Sequence, residues 1–188
     1  MGASAGYVST ASLDKQFRIM HDLSSFNLLA HEAAVNELAK CCSAKRWTEK
    51  VAARRPFATT SELCTTADEV WWSLQPDDWL EAFRGHPKIG EQRAAQHAAA
   101  QAQQWSTQEQ SGVAGSDNET TTQLAKLNRE YEEKFGYIFI VCATGKSAQE
   151  MLAILGERLD NDAATELPIA AGEQAKITQL RLAKLLSG

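Results

Sequence analysis

The stretch YIFIVCA, from Tyr137 to Ala143, is the most apolar segment of the 188-residue sequence and the only one with the composition of a β-strand. A strand must hydrogen-bond to a neighbour, and the sequence offers no second strand-like segment to supply one. We therefore expect this stretch to be a buried extended or irregular segment inside an all-α protein. Its backbone amides would then be available to a ligand.

Apolar residues elsewhere recur at spacings of three and four, which is typical of helices. A chain of 188 residues suits one compact domain of about eight or nine helices. We expect residues 1–25 to form an N-terminal extension and residues 26–188 to form the domain. Four predicted helices run from Phe26 (N-cap Ser25) to Cys41, from Arg46 to Arg54, from Thr60 or Ser61 to Gln75, and from Pro76 to Gly85. Another begins at a capping box of Ser106 and Glu109, and a long polar helix with Leu124 on its apolar face ends at Phe135. The last two begin at Ser147 and after Pro168.

Composition limits the classes of partner. The net charge of -5 and the pI near 5.4 provide no basic stripe for phosphates, so we expect no nucleic-acid binding. No apolar run approaches membrane-spanning length, and the N-terminus lacks a secretory signal. The four cysteines match neither a redox pair nor a zinc ligand set, which favours reduced, buried thiols. These features predict a soluble intracellular protein that binds small molecules or proteins.

The segment HPKIG places a histidine directly after a predicted helix and before a proline. Because Pro87 cannot continue the helix and Gly90 permits a tight turn, we expect an ordered corner that points His86 inward. An imidazole with a pKa near 6.5 suits proton transfer at neutral pH. The alternative is a histidine that binds the last carbonyl groups of the helix, and spacing alone does not separate the two.

Three polar residues further along have a functional and a structural interpretation. Glu109 either pairs with His86 or completes a capping box with Ser106, and Gln110 either recognises a polar ring or is simply part of the first turn of the predicted helix. Arg158 either binds a carboxylate with its planar fork or meets the negative end of a helix dipole. Residues 91–104 are rich in Ala and Gln and predict a surface insertion in which His97 faces solvent.

Four blocks in order, WLEAFRGHPKIG, WSTQEQSG, KFGYIFIVCATGKSAQEMLAILGERLDN and EQAKITQLRLAKL, resemble the family of 2-oxo-4-hydroxy-4-carboxy-5-ureidoimidazoline (OHCU) decarboxylase. This enzyme completes the route from urate to (S)-allantoin. The resemblance covers about residues 26–187 and is greatest to the decarboxylase half of plant and algal bifunctional allantoin synthases. In those proteins a transthyretin-like hydrolase domain follows, and we expect no such second activity within these 188 residues.

The resemblance implies an all-α fold, no metal or organic cofactor, commonly a homodimer, and a peroxisomal or cytoplasmic location. It implies that His86 is the catalytic histidine and Glu109 its partner carboxylate. The remaining implied roles concern the substrate. Ser106 and Gln110 would bind its polar edge, Arg158 its carboxylate or ureido group, the amides of Phe139, Ile140 and Val141 its ring, and Pro87 would wall the pocket.

Two other functions remain open from the sequence. One is a catalytically silent helical interaction module on the same fold, which would bind a partner without turning over the ureidoimidazoline. The other is a metal-dependent hydrolase that uses His86 and His97, although the sequence between them is a poor ligand arrangement.

Overall fold

The structure, a computed structural model, describes residues 22–88, 100–109, 111 and 118–187. These residues form α-helices joined by turns and extended segments, with no strand among them, which confirms the predicted all-α class. Nine helices fall within the described ranges. They are α1 (Leu23–Leu28), α2 (His31–Cys41), α3 (Lys45–Ala52), α4 (Thr60–Trp72), α5 (Pro76–Phe83), α6 (Ala100–Glu109), α7 (Asn118–Phe135), α8 (Ala148–Leu159) and α9 (Ala163–Ser187).

Several predicted helix ends were wrong because a neighbouring residue caps better. Asp22, and not Ser25, caps α1, since its carboxylate accepts a hydrogen bond of 2.7 Å from the Ser25 backbone N–H. The predicted first helix is in fact two helices, α1 and α2, which are separated at residues 29–30. Thr59 caps α4 through the Glu62 N–H at 3.1 Å, and that helix ends at Trp72 instead of Gln75.

The predicted capping box of Ser106 and Glu109 is also wrong. Both residues lie at the end of α6, where the Ser106 hydroxyl donates to the Ala102 carbonyl at 2.9 Å. The helix begins earlier because the preceding Ala- and Gln-rich residues have high helix propensity. Residues 89–99, which include Gly90 and His97, lie outside the described residues.

Pro168 does not bound the last helix but lies inside α9. Asp162 starts this helix by accepting a 2.8 Å hydrogen bond from the Thr165 N–H. Pro168 lies in the second turn of α9, and because it has no N–H, the carbonyl of Ala164 loses its usual helical donor. The helix then packs against α2, α4 and α5 and contributes to the larger apolar core.

The extended segment 137–143 separates two apolar cores, as an extended chain with alternating side-chain directions can. Ile140 and Cys142 belong to the larger core, whereas Phe139, Val141 and Ala143 belong to the core between α7 and α8. The expectation of a buried, non-helical segment without a strand partner is thus confirmed for the described chain.

Side chains satisfy the backbone of this segment in place of a neighbouring strand. Arg158 donates to the Ile140 carbonyl at 2.7 Å, and Glu173 accepts from the Cys142 N–H at 2.7 Å. Lys146 donates to the Cys142 carbonyl at 2.6 Å. The segment is therefore held in place by residues of α8, of α9 and of the turn between the segment and α8.

Candidate active site

A small hollow, partly open to solvent, lies beside the extended segment. Its walls come from the corner after α5, the end of α6, the segment and α9. The side chains and backbone that line it belong to His86, Pro87, Ser106, Glu109, Phe139, Ile140, Val141, Ala143, Thr144 and Ile177. Seven residues singled out from the sequence are among them. Gln110 lies outside the described residues.

His86 reaches the hollow because helix α5 ends just before it. Its backbone N–H still bonds the Phe83 carbonyl at 3.1 Å, and Pro87 then stops the helical path. A close approach fixes the preceding residue, since a Cβ on Gly85 would lie 2.2 Å from the Ser43 hydroxyl. The position of His86 thus depends on a tight contact between two segments.

The side chain of His86 binds the amide of Gln174, with 2.7 Å between Nε2 and Oε1. Among the described residues this bond replaces the contact with helix-end carbonyls that the sequence left open. The pKa of His86 is lowered to about 3, mainly by burial and then by the nearby positive charge of Arg181, while the bond to Gln174 acts in the opposite direction. The imidazole is therefore neutral and a potential base at neutral pH.

Glu109 is buried at the same hollow but does not bind His86 directly. Its carboxylate accepts from Arg181 at 2.9 and 3.1 Å and from Lys184 at 3.4 Å. The same guanidinium donates to the Ser106 hydroxyl at 2.8 Å. Arg181 therefore links Glu109 and Ser106 and also acts electrostatically on His86.

The sequence analysis missed Gln174 and Arg181. The signal was present in α9, where Gln174, Thr178 and Arg181 recur at spacings of four and three and share one helix face. That face also carries buried apolar residues, and the three polar side chains are 0%, 5% and 3% exposed. Buried polar groups within an apolar stripe need partners, which marks them as candidates for a site.

Arg158 does not line the hollow. Its guanidinium is paired with the fully buried Glu166, with 2.7 Å between Nε and Oε1, and also bonds Tyr131 and the Ile140 carbonyl. Asn161 donates to the other oxygen of Glu166 at 2.8 Å. The arginine therefore contacts the hollow indirectly, through the backbone of Ile140.

No group of three His, Cys, Asp or Glu side chains in the described ranges could hold a metal ion. In the same ranges no helix is both long and apolar enough to cross a bilayer. All four cysteines are free, and burial raises the pKa of the Cys42 thiol to about 12, so it stays protonated.

The protein is thus all-helical, and a neutral histidine and an ion-paired carboxylate line one hollow, as in an enzyme that uses acid–base catalysis. The chain belongs to the OHCU decarboxylase family, whose family model matches residues 27–183.

Several known proteins are similar. The uric acid degradation bifunctional protein TTL of Arabidopsis thaliana is 37% identical over 85% of this chain, and the match spans only 49% of that protein's length. The 2-oxo-4-hydroxy-4-carboxy-5-ureidoimidazoline decarboxylase of Amia calva is 31% identical over 88% of this chain and 94% of its own length.

Solved structures agree with this assignment. A crystal structure of OHCU decarboxylase in the presence of (S)-allantoin shares 38% identity with a TM-score of 0.71, covering 81% of this chain and 99% of the other. A crystal structure of (S)-allantoin synthase has a TM-score of 0.64 at 16% identity, covering 88% of this chain and 54% of the other, and shows similarity of fold alone.

Proposed function

We propose that this chain decarboxylates OHCU to (S)-allantoin in urate degradation, without a cofactor. The observation that carries the proposal is that a neutral His86 lines a hollow next to the charged pair of Arg181 and Glu109. A base beside a cation suits a reaction that removes a proton while negative charge develops. Membership of the OHCU decarboxylase family and the activity of the similar decarboxylases supply the substrate.

The reaction itself needs acid–base catalysis more than a cofactor. When CO₂ leaves, the electron pair of the broken bond to the carboxylate forms a double bond between two ring carbons. The adjacent C=N bond opens, and its nitrogen takes up a proton. The enol that results loses its hydroxyl proton and gains a proton on the neighbouring carbon. One proton is consumed for each CO₂ released, and the substrate's own C=N acts as the electron sink.

The roles of the residues follow from their surroundings. His86 takes the hydroxyl proton. The guanidinium of Arg181, held in place by Glu109, stabilises the anionic substrate and the enolate that forms when this proton leaves. Ser106 and Gln110 bind the polar edge of the substrate, and Pro87 walls the cavity.

The backbone of residues 139–141 holds the substrate ring. In place of a direct grip on substrate, we assign Arg158 an indirect role, because its guanidinium already serves Glu166 and the Ile140 carbonyl. It fixes the wall of the hollow at Ile140, which lines the cavity. A shift of this wall would misplace the amides that face the substrate.

The test compares His86→Ala with His31→Ala. His31 is a matched control because it is an exposed histidine that bonds Glu49 at 2.8 Å, away from the hollow. With freshly generated OHCU, circular dichroism should record formation of (S)-allantoin by wild type and His31→Ala. His86→Ala should lose at least about 100-fold in rate, the usual contribution of a general base.

Stability must be measured alongside. His86→Ala should lose no more than about 2 kcal/mol, since it leaves Gln174 without one partner. Wild-type stereospecific turnover in His86→Ala would refute the assignment of the base. If instead the wild-type chain binds OHCU or a protein partner with no turnover at all, the silent interaction module replaces the decarboxylase.

Assembly and compartment complete the proposal. We propose a homodimer, which is supported by exposed apolar side chains on α4 and α9, where Trp72 is 47% and Ile169 39% exposed. Light scattering on the purified chain tests this, and a monomer at micromolar concentration would refute it. We propose a peroxisomal or cytoplasmic location, which imaging of the full-length protein in its own cell decides.

A further inference from the structure

The amide of Gln174 is fully buried on α9, and both of its ends have partners. Its Oε1 lies 2.7 Å from Nε2 of His86, and its Nε2 lies 3.1 Å from the hydroxyl of Thr178. Gln174 is 0% and Thr178 5% exposed, so water does not compete for these groups. Three side chains thus form a chain of hydrogen bonds that ends at the imidazole.

The backbone decides the direction of this chain. The Thr178 hydroxyl lies 3.0 Å from the Gln174 carbonyl, and a carbonyl only accepts, so the hydroxyl hydrogen points there. The hydroxyl oxygen is then left to accept a hydrogen bond from Gln174, which fixes the NH₂ group on that side. The carbonyl oxygen of the amide must therefore face His86, and it can only accept.

The thiol of Cys42 is the other neighbour of the Thr178 hydroxyl. Burial raises the pKa of this thiol to about 12, so it carries its hydrogen, and a thiol sulfur is a weak acceptor. It does not compete with the carbonyl for the hydroxyl hydrogen.

We propose that Gln174 and Thr178 are positioning residues that keep the hydrogen of neutral His86 on Nε2 and leave Nδ1 as the atom that accepts the substrate's proton. The proposal rests on the decarboxylase function. In the step itself, the O–H bond of the substrate breaks as an Nδ1–H bond forms, while Nε2–H stays bonded to Gln174. The proton later leaves Nδ1 for solvent or for the substrate carbon.

Charged groups around His86 do not perform this selection. Arg181 and Lys184 on α9 both donate to Glu109 on α6, and Lys88 is paired with Glu132 of α7 at 2.5 Å. Of these groups Arg181 acts on the pKa of His86, so it adds to the effect of burial on the charge of the ring. Selection between the two ring nitrogens needs a directional hydrogen bond, which among the described residues comes from Gln174.

Nitrogen NMR on histidine-labelled protein tests the proposal without any turnover. The chain has four histidines, and the His86 signals are assigned by their loss in His86→Asn. At neutral pH we expect His86 in the neutral form with hydrogen on Nε2. Hydrogen on Nδ1, or a charged ring, would overturn the proposal.

Variants then link the tautomer to catalysis. In Gln174→Leu we expect a mixture of tautomers and about tenfold lower kcat with KM within twofold, because selection by one hydrogen bond amounts to about one power of ten. In Gln174→Glu a carboxylate faces the ring, and the midpoint of the pH profile of kcat/KM should rise by about one pH unit or more. An unchanged tautomer and kcat in Gln174→Leu would refute the proposed positioning role of Gln174.

Thr178→Val keeps the proposal testable if Gln174→Leu does not fold. It frees the amide to rotate, so we expect a mixed tautomer and reduced kcat, with wild-type behaviour restored in Thr178→Ser. Thr48→Val is the matched control, since Thr48 is also a buried helical threonine, 2% exposed, whose hydroxyl donates to the Lys45 carbonyl at 2.8 Å.

The two proposals fail in different ways. If wild type does not turn over OHCU, the decarboxylase function fails whatever the NMR shows. If wild type turns over OHCU but His86 carries its hydrogen on Nδ1, or if Thr178→Val behaves like Thr48→Val, only the positioning role of Gln174 and Thr178 fails.

Discussion

Removing Arg158 should destabilise the protein far more than removing an exposed arginine. Arg158 is 6% and Glu166 0% exposed, so Arg158→Leu would leave a carboxylate buried without its cation. Breaking such a pair from one side costs about 3–5 kcal/mol. The Ile140 carbonyl also loses its donor, which places the expected loss near the upper end of that range.

The size of this loss is large relative to the whole. Domains are stable by about 5–15 kcal/mol, and a chain of this size loses about 2–4 °C in Tm per kcal/mol. A loss of about 5 kcal/mol thus predicts a Tm lower by about 10–20 °C. The double variant Arg158→Leu, Glu166→Leu should recover about 2 kcal/mol or more, because it removes the orphaned charge.

Urea unfolding followed by far-ultraviolet circular dichroism measures these differences. The matched control is Arg54→Leu, which breaks an ion pair with Glu69 whose side chains are 52% and 62% exposed, at 3.1 Å. Such exposed pairs contribute about 1 kcal/mol or less. If Arg158→Leu cost no more than Arg54→Leu, or if the double variant were less stable than the single one, the reasoning about this buried pair would be wrong.

Three further predictions concern the site. The pKa of His86 is about 3 in the folded protein and near 6.5 in the unfolded chain. The contribution of His86 to stability is therefore complete above pH 6.5 and is lost as the pH falls toward 3, by at most about 1.4 kcal/mol per pH unit. The unfolding midpoints of wild type and His86→Asn should converge over that pH range, and parallel curves would contradict this. Gly85→Ala forces its Cβ against Ser43 and should lower both Tm and kcat, whereas Gly85→Ala with Ser43→Gly should recover part of each; an unchanged kcat in the single variant would count against a tightly fixed corner. Arg181→Leu leaves Glu109 paired with Lys184 alone and should reduce kcat/KM for OHCU at least about 100-fold, and wild-type kcat/KM would exclude Arg181 from the charge balance of the site.

Local patterns predicted the kind of structure well. The absence of a strand partner was enough to predict that residues 137–143 are a buried segment in an all-α protein. Competing local signals were harder to rank: Asp22 and Ser25 are both good caps, and the Ser106 and Glu109 spacing fits a helix start, yet helix propensity upstream decided the outcome.

The candidate site divides along the same line. The end of α5 before Pro87 was predictable, because proline acts locally on a helix. The hydrogen bond from His86 to Gln174 joins residues 88 positions apart, and the bond from Arg181 to Glu109 joins residues 72 apart. No spacing rule reaches that far, so these partners follow only from the packing of α9 against the rest of the chain.

The side-chain hold on residues 137–143 has a consequence for how this protein fails. A strand in a sheet is secured by many equivalent bonds and loses them one at a time, whereas this wall depends on a few contacts from α8, α9 and the turn before α8. A small displacement of α9 would break its bond to the segment and collapse the cavity before the protein unfolds as a whole. Enzymatic rate should therefore decline at lower temperature or denaturant than helix content does, which makes activity an early indicator of damage.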